Sequence, residues 1–366
     1  MNIQMVDLKN QYLKIKNEID KAISDVVDSC QFIQGPIVGE FECKVAGYLG
    51  CKYTIGCASG TDALQIAMMA IGIKPGDEVI TTPFTFVATT ETIALLGAIP
   101  VYVDIDEKSY NIDVNKIEEK ITSKTKAIIP VHLYGQPAEM DKIMQIAKAH
   151  NLKVIEDAAQ ALGAVYKGVK VCTIGDIGCI SYFPSKNLGA FGDAGMMSTN
   201  DEELAMKMKM IIAHGSRRKY YHEVLGVNSR LDSIQAAILN VKLVHLDEYC
   251  EARVASASKY NERFKGHLTI PFEILEAKHI FHQYSIRVKK RDQMQEYLEK
   301  NGIPSMIYYP VPLHMQEAYC YDYKAGDYPV TERVVQDIIS LPIHTELSDN
   351  QIDYISSKVL EFNSKA

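Results

Sequence analysis

Lys186, in the run Ser181-Tyr-Phe-Pro-Ser-Lys-Asn-Leu-Gly189, stands between two features that give a lysine chemistry. Upstream, the apolar run Val154-Ile-Glu-Asp157 ends on a carboxylate and continues into Ala-Ala-Gln160. Downstream, Phe191-Gly-Asp-Ala-Gly195 is a glycine-rich loop. A strand-end carboxylate followed by a loop lysine is the pair that pyridoxal 5'-phosphate (PLP) chemistry requires. The amine attaches the cofactor aldehyde covalently, and the carboxylate pairs with the pyridinium nitrogen so that the ring accepts electrons. Once an amino donor displaces it, the lysine becomes the group that moves a proton, so it must be uncharged part of the time. Burial beside a cationic ring lowers its pKa toward that end. A single lysine after a strand is ordinarily a solvated charge; the ordered set separates the two readings.

The other candidates each carry a plainer alternative. Asp157 reads as the partner of a protonated ring nitrogen or as an N-cap for the Ala-Ala-Gln segment, and unpaired at the end of a buried strand it would be costly. Gln160 reaches the cofactor's phenolic oxygen or is a polar residue of a first helical turn. Gly60 and Thr61, in Ala58-Ser-Gly-Thr-Asp62, fall at a predicted strand-to-helix turn where backbone N–H groups and the helix dipole favour a phosphate. A Ser or Thr there also caps the helix, and the two roles are compatible. Ser181 offers a hydroxyl to the same phosphate. Phe86 packs in the core or lies against the pyridine face. In Asn228-Ser-Arg230-Leu-Asp232, a solvated turn capped by Asp232 competes with Asn228 reaching phosphate across a dimer interface. Arg230 then presents a planar fork to a substrate carboxylate or phosphate. Arg217, Arg218 and Lys219 read as solvated charges that also suit a diphosphate. Tyr308 and His314 flank a proline-rich turn, as packing residues or as sugar contacts.

The elements that must position these residues follow a strand-then-helix rhythm over the first ~240 residues, which predicts a parallel sheet covered by helices. Strands are expected at 53–57, 76–80, 99–103, 127–131, 153–155, 177–183 and 194–198. Helices are expected from Thr61, over 89–96 and over 141–150. The basic segment 214–222 reads as an exposed loop ahead of one long helix, 233–264. Beyond Pro271 the pattern changes to strands at 283–288 and 304–309 with helices over 292–301, 332–339 and 350–362.

Composition bounds the class. The 366 residues, 47% hydrophobic and 23% charged, suit a globular protein of two domains or one large one. A formal net charge of -7 argues against nucleic acid or an anionic membrane as partner. No apolar stretch approaches the ~20 residues that span a bilayer. Met1 is followed by no basic-then-apolar leader, so a cytoplasmic protein is expected. The eight cysteines, at 30, 43, 51, 57, 172, 179, 250 and 320, form no C-x-x-C pair and lie near no histidine cluster. They read as reduced, mostly buried small hydrophobes, and no metal site is expected.

As a set, Gly60-Thr-Asp-Ala-Leu64, Thr85-Phe-Val-Ala-Thr89, Pro130-Val-His-Leu-Tyr-Gly-Gln136, Glu156-Asp-Ala-Ala-Gln160, Ser181 to Gly189, Asn228-Ser-Arg-Leu-Asp232 and Tyr309-Pro-Val-Pro-Leu-His314 are specific. In order and spacing they resemble the DegT/StrS-type nucleotide-sugar aminotransferases over most of the chain. The resemblance implies an α/β, fold-type I (aspartate aminotransferase-like) PLP enzyme. A large domain with a mostly parallel seven-stranded sheet would span 1–245, and a smaller α+β C-terminal domain 246–366, with the N-terminal segment packing on the small domain. It implies a homodimer with shared active sites.

Motif by motif, Lys186 matches the cofactor-attaching lysine, Asp157 the pyridinium partner, Gln160 the ring-oxygen contact and Phe86 the stacking aromatic. Gly60, Thr61 and Ser181 match phosphate ligands, with Asn228 from the other subunit. Dehydrating relatives carry His in place of the lysine, so transamination is implied here. Within the family the likeness is to UDP-2-acetamido-2-deoxy-3-oxo-glucuronate aminotransferases, which implies L-glutamate as donor and a uronate carboxylate for Arg230. Tyr308 departs from the His that many relatives carry there, close to the sugar. Amination of a dTDP- or UDP-linked keto-6-deoxy sugar and a non-catalytic PLP-binding regulator are the alternatives.

Overall fold

Short runs rich in β-branched residues dictate strands buried on both faces. The structure, a computed structural model describing residues 3–319 and 321–365, uses them in this way. Met1 and Cys320 lie outside the described residues. Seven strands form the central sheet: β1 (Tyr53–Cys57), β2 (Glu78–Thr81), β3 (Ile99–Tyr102), β4 (Thr125–Ile128), β5 (Lys153–Asp157), β6 (Ile177–Ser181) and β7 (Gly195–Thr199). Their order is β1-β7-β6-β5-β4-β2-β3, and β7 alone runs antiparallel to its neighbours. The chain is α/β with a mostly parallel seven-stranded sheet, the layout expected from the resemblance to fold type I.

Strand alternation sends successive side chains to opposite faces. Ile155 and Met197 pack under the helices Gly60–Ile71, Ala88–Leu95 and Glu202–Ile211. Val154 and Ile180, on the other face, meet the helices Met140–His150, Pro36–Leu49 and Ser233–Leu243. A separate apolar cluster joins Tyr260, Tyr284, Leu298, Ile339 and Ile355 from the C-terminal third, and Ile3 packs into it.

Five expectations are corrected. The fourth strand stops at Ile128 instead of Val131, because Pro130 has no N–H to give a neighbour; Val131 makes only an isolated bridge to Asp157. Residues 214–222 form a small hairpin, Ser216–Arg218 with Tyr221–His222, turned through Tyr220 at φ 71°. The long helix is two, Ser233–Leu243 and Leu246–Phe264. Lys242 closes the first and Asp247 and Glu248 open the second, the charge order each helix end favours. Residues 304–309 make no strand, only a bridge from Met306 to Ser340, and the expected helix 332–339 ends at Asp337. Ile338–Leu341 instead pairs antiparallel with Tyr284–Arg287. Of the seven described cysteines all are free, with Cys57, Cys172, Cys179 and Cys250 buried.

Candidate active site

Parallel strands deliver their carboxyl ends to one edge of a sheet, where ligands bind in open α/β folds. At that edge β5 ends on Asp157, β6 ends on Ser181, and β1 runs into Ser59 and the helix starting at Gly60. The antiparallel β7 starts there too, with Gly195 paired to both Cys57 and Ser181. A cavity of about 430 Å³ opens at this point. It is lined by Gly60, Thr61, Phe86, Asp157, Gln160, Ser181, Lys186 and Tyr308 among the residues singled out from sequence.

Lys186 sits on a tight turn, its N–H donating to Phe183 O at 2.8 Å. Gly189 closes the turn, since a Cβ there would fall 2.2 Å from Pro184 O. Lys242 pins the same loop by donating to Gly189 O at 2.5 Å. The Lys186 amine has no hydrogen-bond or ion-pair partner among the described residues. Burial pushes its pKa down to about 8, against the upward pull of Asp157. The neutral, nucleophilic form is therefore accessible near neutral pH.

Asp157 is 5% exposed. Burial pushes its carboxyl up, and Thr89, the Ala159 N–H, Lys186 and His132 oppose that. Oδ2 accepts from Thr89 Oγ1 at 2.7 Å, and Oδ1 accepts from Ala159 N at 3.2 Å. The local capping contact and a free carboxylate face toward the cavity thus coexist. Gln160 is locked in orientation: Oε1 accepts from Tyr134 N at 2.8 Å and Nε2 donates to Tyr309 Oη at 3.0 Å. That leaves one amide hydrogen for a ligand.

The phosphate end is a cradle. Ser59 caps the helix by accepting from Asp62 N at 3.1 Å, leaving Gly60 and Thr61 at the cavity wall. A Cβ on Gly60 would fall 2.6 Å from Ser181 Cβ, so only glycine lets helix and strand end approach this closely. Phe86, 52% exposed, faces the opening near Tyr309 at 6.2 Å between ring centroids.

These residues fit PLP. An unpartnered amine, a buried carboxylate awaiting a cation, an aromatic face and a helix N-terminus for phosphate surround one space of suitable size.

Three of the named residues lie elsewhere. Asn228 is exposed and bridges to Ala213, and Arg230 is half-buried with no side-chain partner among the described residues. Neither lines this chain's cavity. His314 is fully buried, 3.1 Å from Glu332 and edge-on to Tyr328, in a packing role.

Sequence reasoning missed Thr85, His282, Gln283 and Tyr309 in the wall and Thr89 behind it. Thr85 and Thr89 lay within a quoted motif, as did Tyr309, without a role. His282 and Gln283 come from a segment that starts 96 residues after Lys186; a strand was expected from Gln283, but neither residue was given a site role. Asn187 ties that segment to the lysine loop, with Oδ1 3.3 Å from His282 Nδ1 and Nδ2 donating to Ile280 O at 3.4 Å.

Comparison with known proteins finds a family match. The DegT/DnrJ/EryC1/StrS aminotransferase family model matches residues 13–360. A Geobacillus stearothermophilus protein named "Pleiotropic regulatory protein" is 50% identical, covering 99% of both chains. A Pseudomonas aeruginosa UDP-2-acetamido-2-deoxy-3-oxo-D-glucuronate aminotransferase is 47% identical over 96% of this chain and 98% of its own. The crystal structure of NtdA from Bacillus subtilis, with bound cofactor PMP, superposes with a TM-score of 0.91 at 32% identity, covering 98% of this chain and 83% of that one.

Proposed function

We propose a substrate and a set of residue roles for an enzyme whose kind is established: this chain belongs to the DegT/DnrJ/EryC1/StrS aminotransferase family. It is a PLP-dependent nucleotide-sugar aminotransferase. The bound cofactor supplies the electron sink through which an amino group leaves one carbon and joins another.

In the proposed division of labour, Lys186 anchors the cofactor and then, freed, carries the proton between carbon atoms on the cavity side. Asp157 holds the ring nitrogen, Gln160 donates to the ring oxygen, and Phe86 covers one ring face. Gly60, Thr61 and Ser181 receive the phosphate. The observation that carries this reading is the convergence of Lys186 and Asp157 on one cavity.

The proposed reaction moves the amino group of L-glutamate to the C3 keto group of a UDP-linked 2-acetamido-3-oxo-glucuronic acid, in the synthesis of bacterial surface-polysaccharide precursors. The Pseudomonas aeruginosa relative supports it. So does Arg230, half-buried and without a side-chain partner among the described residues, whose guanidinium suits a uronate carboxylate. A homodimer belongs to the proposal. Among described side chains, Lys186 is the one Lys or Arg lining the cavity, beside Asp157 and Asp193. A nucleoside diphosphate needs more positive charge than that; the exposed Arg217 and Arg218 of a second copy would supply it, and Asn228 would add a neutral amide donor. Among the described residues no helix is long and apolar enough to cross a membrane, and the cytoplasm is the proposed location.

Assaying purified enzyme with glutamate and a panel of 3-keto and 4-keto UDP- and dTDP-sugars, and locating the new amine, tests the substrate. Amination at C4 of a 6-deoxy sugar in preference to C3 of the uronate overturns it. A second reading, a PLP-binding regulator without turnover, is favoured by the name of the Geobacillus relative. It predicts cofactor binding but no absorbance change on adding glutamate.

A further inference from the structure

Asp157 is held at both oxygens, and the two holds differ in kind. Ala159 N reaches Oδ1 at 3.2 Å from within the same turn. Thr89 Oγ1 reaches Oδ2 at 2.7 Å from a separate element, the first turn of the helix Ala88–Leu95. Thr89 is wholly buried and Asp157 only 5% exposed, so the bond is shielded on the Thr89 side from exchange with water. Thr85 Oγ1 lies 3.2 Å from Thr89 Oγ1, where geometry alone lets either atom donate. A hydroxyl has one proton. Thr89 spends its proton on the carboxylate, so Thr85 donates to Thr89, and the chain Thr85 to Thr89 to Asp157 has one direction.

The same five residues carry Phe86. One short segment therefore registers the aromatic that faces the cavity and the hydroxyl that orients the carboxylate. Thr89 does not line the cavity; it acts through its neighbour.

Resting on the cofactor reading above, we propose that Thr89 is a positioning residue for Asp157: its hydroxyl, aimed by Thr85, fixes Oδ2 so that the carboxylate stays ionised and turned toward the ring nitrogen of PLP. Burial alone pushes the Asp157 carboxyl toward its neutral form, and Thr89 is the first contact that opposes this. A neutral carboxyl would leave the ring nitrogen without its counter-charge.

The test compares Thr89→Val, which keeps the shape and loses the hydroxyl, with Thr89→Ser, which keeps the hydroxyl. Apoprotein of each is titrated with PLP, its thermal midpoint is recorded, and the rate constant of the glutamate half-reaction is measured after loading. Hydrogen bonds to charged groups set the expected size. Thr89→Val binds PLP about tenfold more weakly and reacts at least about tenfold more slowly, while Thr89→Ser stays within about threefold of wild type. In an Asp157→Asn background, adding Thr89→Val changes PLP affinity by less than about twofold, because the two residues act as a unit.

Thr89→Ala, which frees space instead of filling it, gives the same loss should the valine variant not fold. The proposal is overturned if Thr89→Val binds PLP like wild type, if Thr89→Ser loses as much as Thr89→Val, or if the loss persists undiminished without the Asp157 charge. Wild-type protein that binds no PLP would instead sink the cofactor reading, and this inference with it.

Discussion

His132 and Glu156 form a wholly buried pair, with Nε2 3.0 Å from Oε2, one residue before Asp157 on β5. The Ala138 N–H donates to His132 Nδ1 at 3.0 Å, so the ring carries a proton on Nε2 and donates it to Glu156. Glu156 also accepts from the N–H groups of Cys172, Ile174 and Gly175 at 2.8 to 3.0 Å. Strand alternation points Glu156 away from the side on which Asp157 projects. The end of β5 is thus nailed from behind while its last carboxylate faces the cavity.

Glu156→Ala would strand those four donors in the interior. Truncating one partner of a buried charged network costs about 3–5 kcal/mol. Urea unfolding of the apoprotein measures it. A loss under about 1 kcal/mol would mean the site does not depend on this anchor.

Lys186 sets a pH dependence. Its folded pKa is depressed to about 8, and only the uncharged amine captures the cofactor aldehyde. Capture of PLP by apoprotein, followed by stopped-flow absorbance, should accelerate as pH rises toward about 8 and level off above it. Asp157 pulls that pKa upward, so Asp157→Asn should move the midpoint to lower pH. A midpoint near the ordinary lysine value would contradict the burial seen here.

Gly60→Ala places a methyl 2.6 Å from Ser181 Cβ, and one of the two must move. Overpacking of this kind costs about 1–3 kcal/mol and should weaken PLP binding as well. Gly39→Ala is the control, being on the exposed side of the helix Pro36–Leu49 with nothing within 4 Å of the added carbon. It should be neutral or stabilising by about 0.5–1 kcal/mol. Equal thermal shifts in the two variants would refute the cradle.

Arg230→Ala separates substrates. Losing a charge-assisted fork to a uronate should raise KM for that sugar roughly tenfold or more and leave a 6-deoxy sugar unaffected. Steady-state kinetics on both sugars decide the matter, and equal losses on both would remove Arg230 from uronate recognition.

Much of the cavity was legible before any coordinates, because its chemistry is carried by residues at the ends of locally recognisable strands. Asp157, Ser181 and Gly60 each sit where an apolar run stops, and hydrophobic periodicity marks such ends. Errors clustered where the signal is not local. Residues 233–264 keep helical periodicity across a break that only packing and end charges reveal. Ile338 and Ile339 continued a helical pattern until Tyr284–Arg287 offered them a partner strand. His314 had the right type for a sugar contact but is closed in by Glu332 and Tyr328.

Residue type and order along the chain settled which groups are available: a lysine, a carboxylate and a glycine-rich turn, with strand endings to carry them. Those properties are local, set by side-chain chemistry and by the period of apolar residues. Folding in three dimensions settled how the groups are tuned. The Lys186 pKa follows from burial, the Asp157 orientation from a threonine 68 positions away, and the Gln160 orientation from Tyr134 and Tyr309. Desolvation and hydrogen-bond direction depend on neighbours remote in sequence, and no linear pattern encodes them.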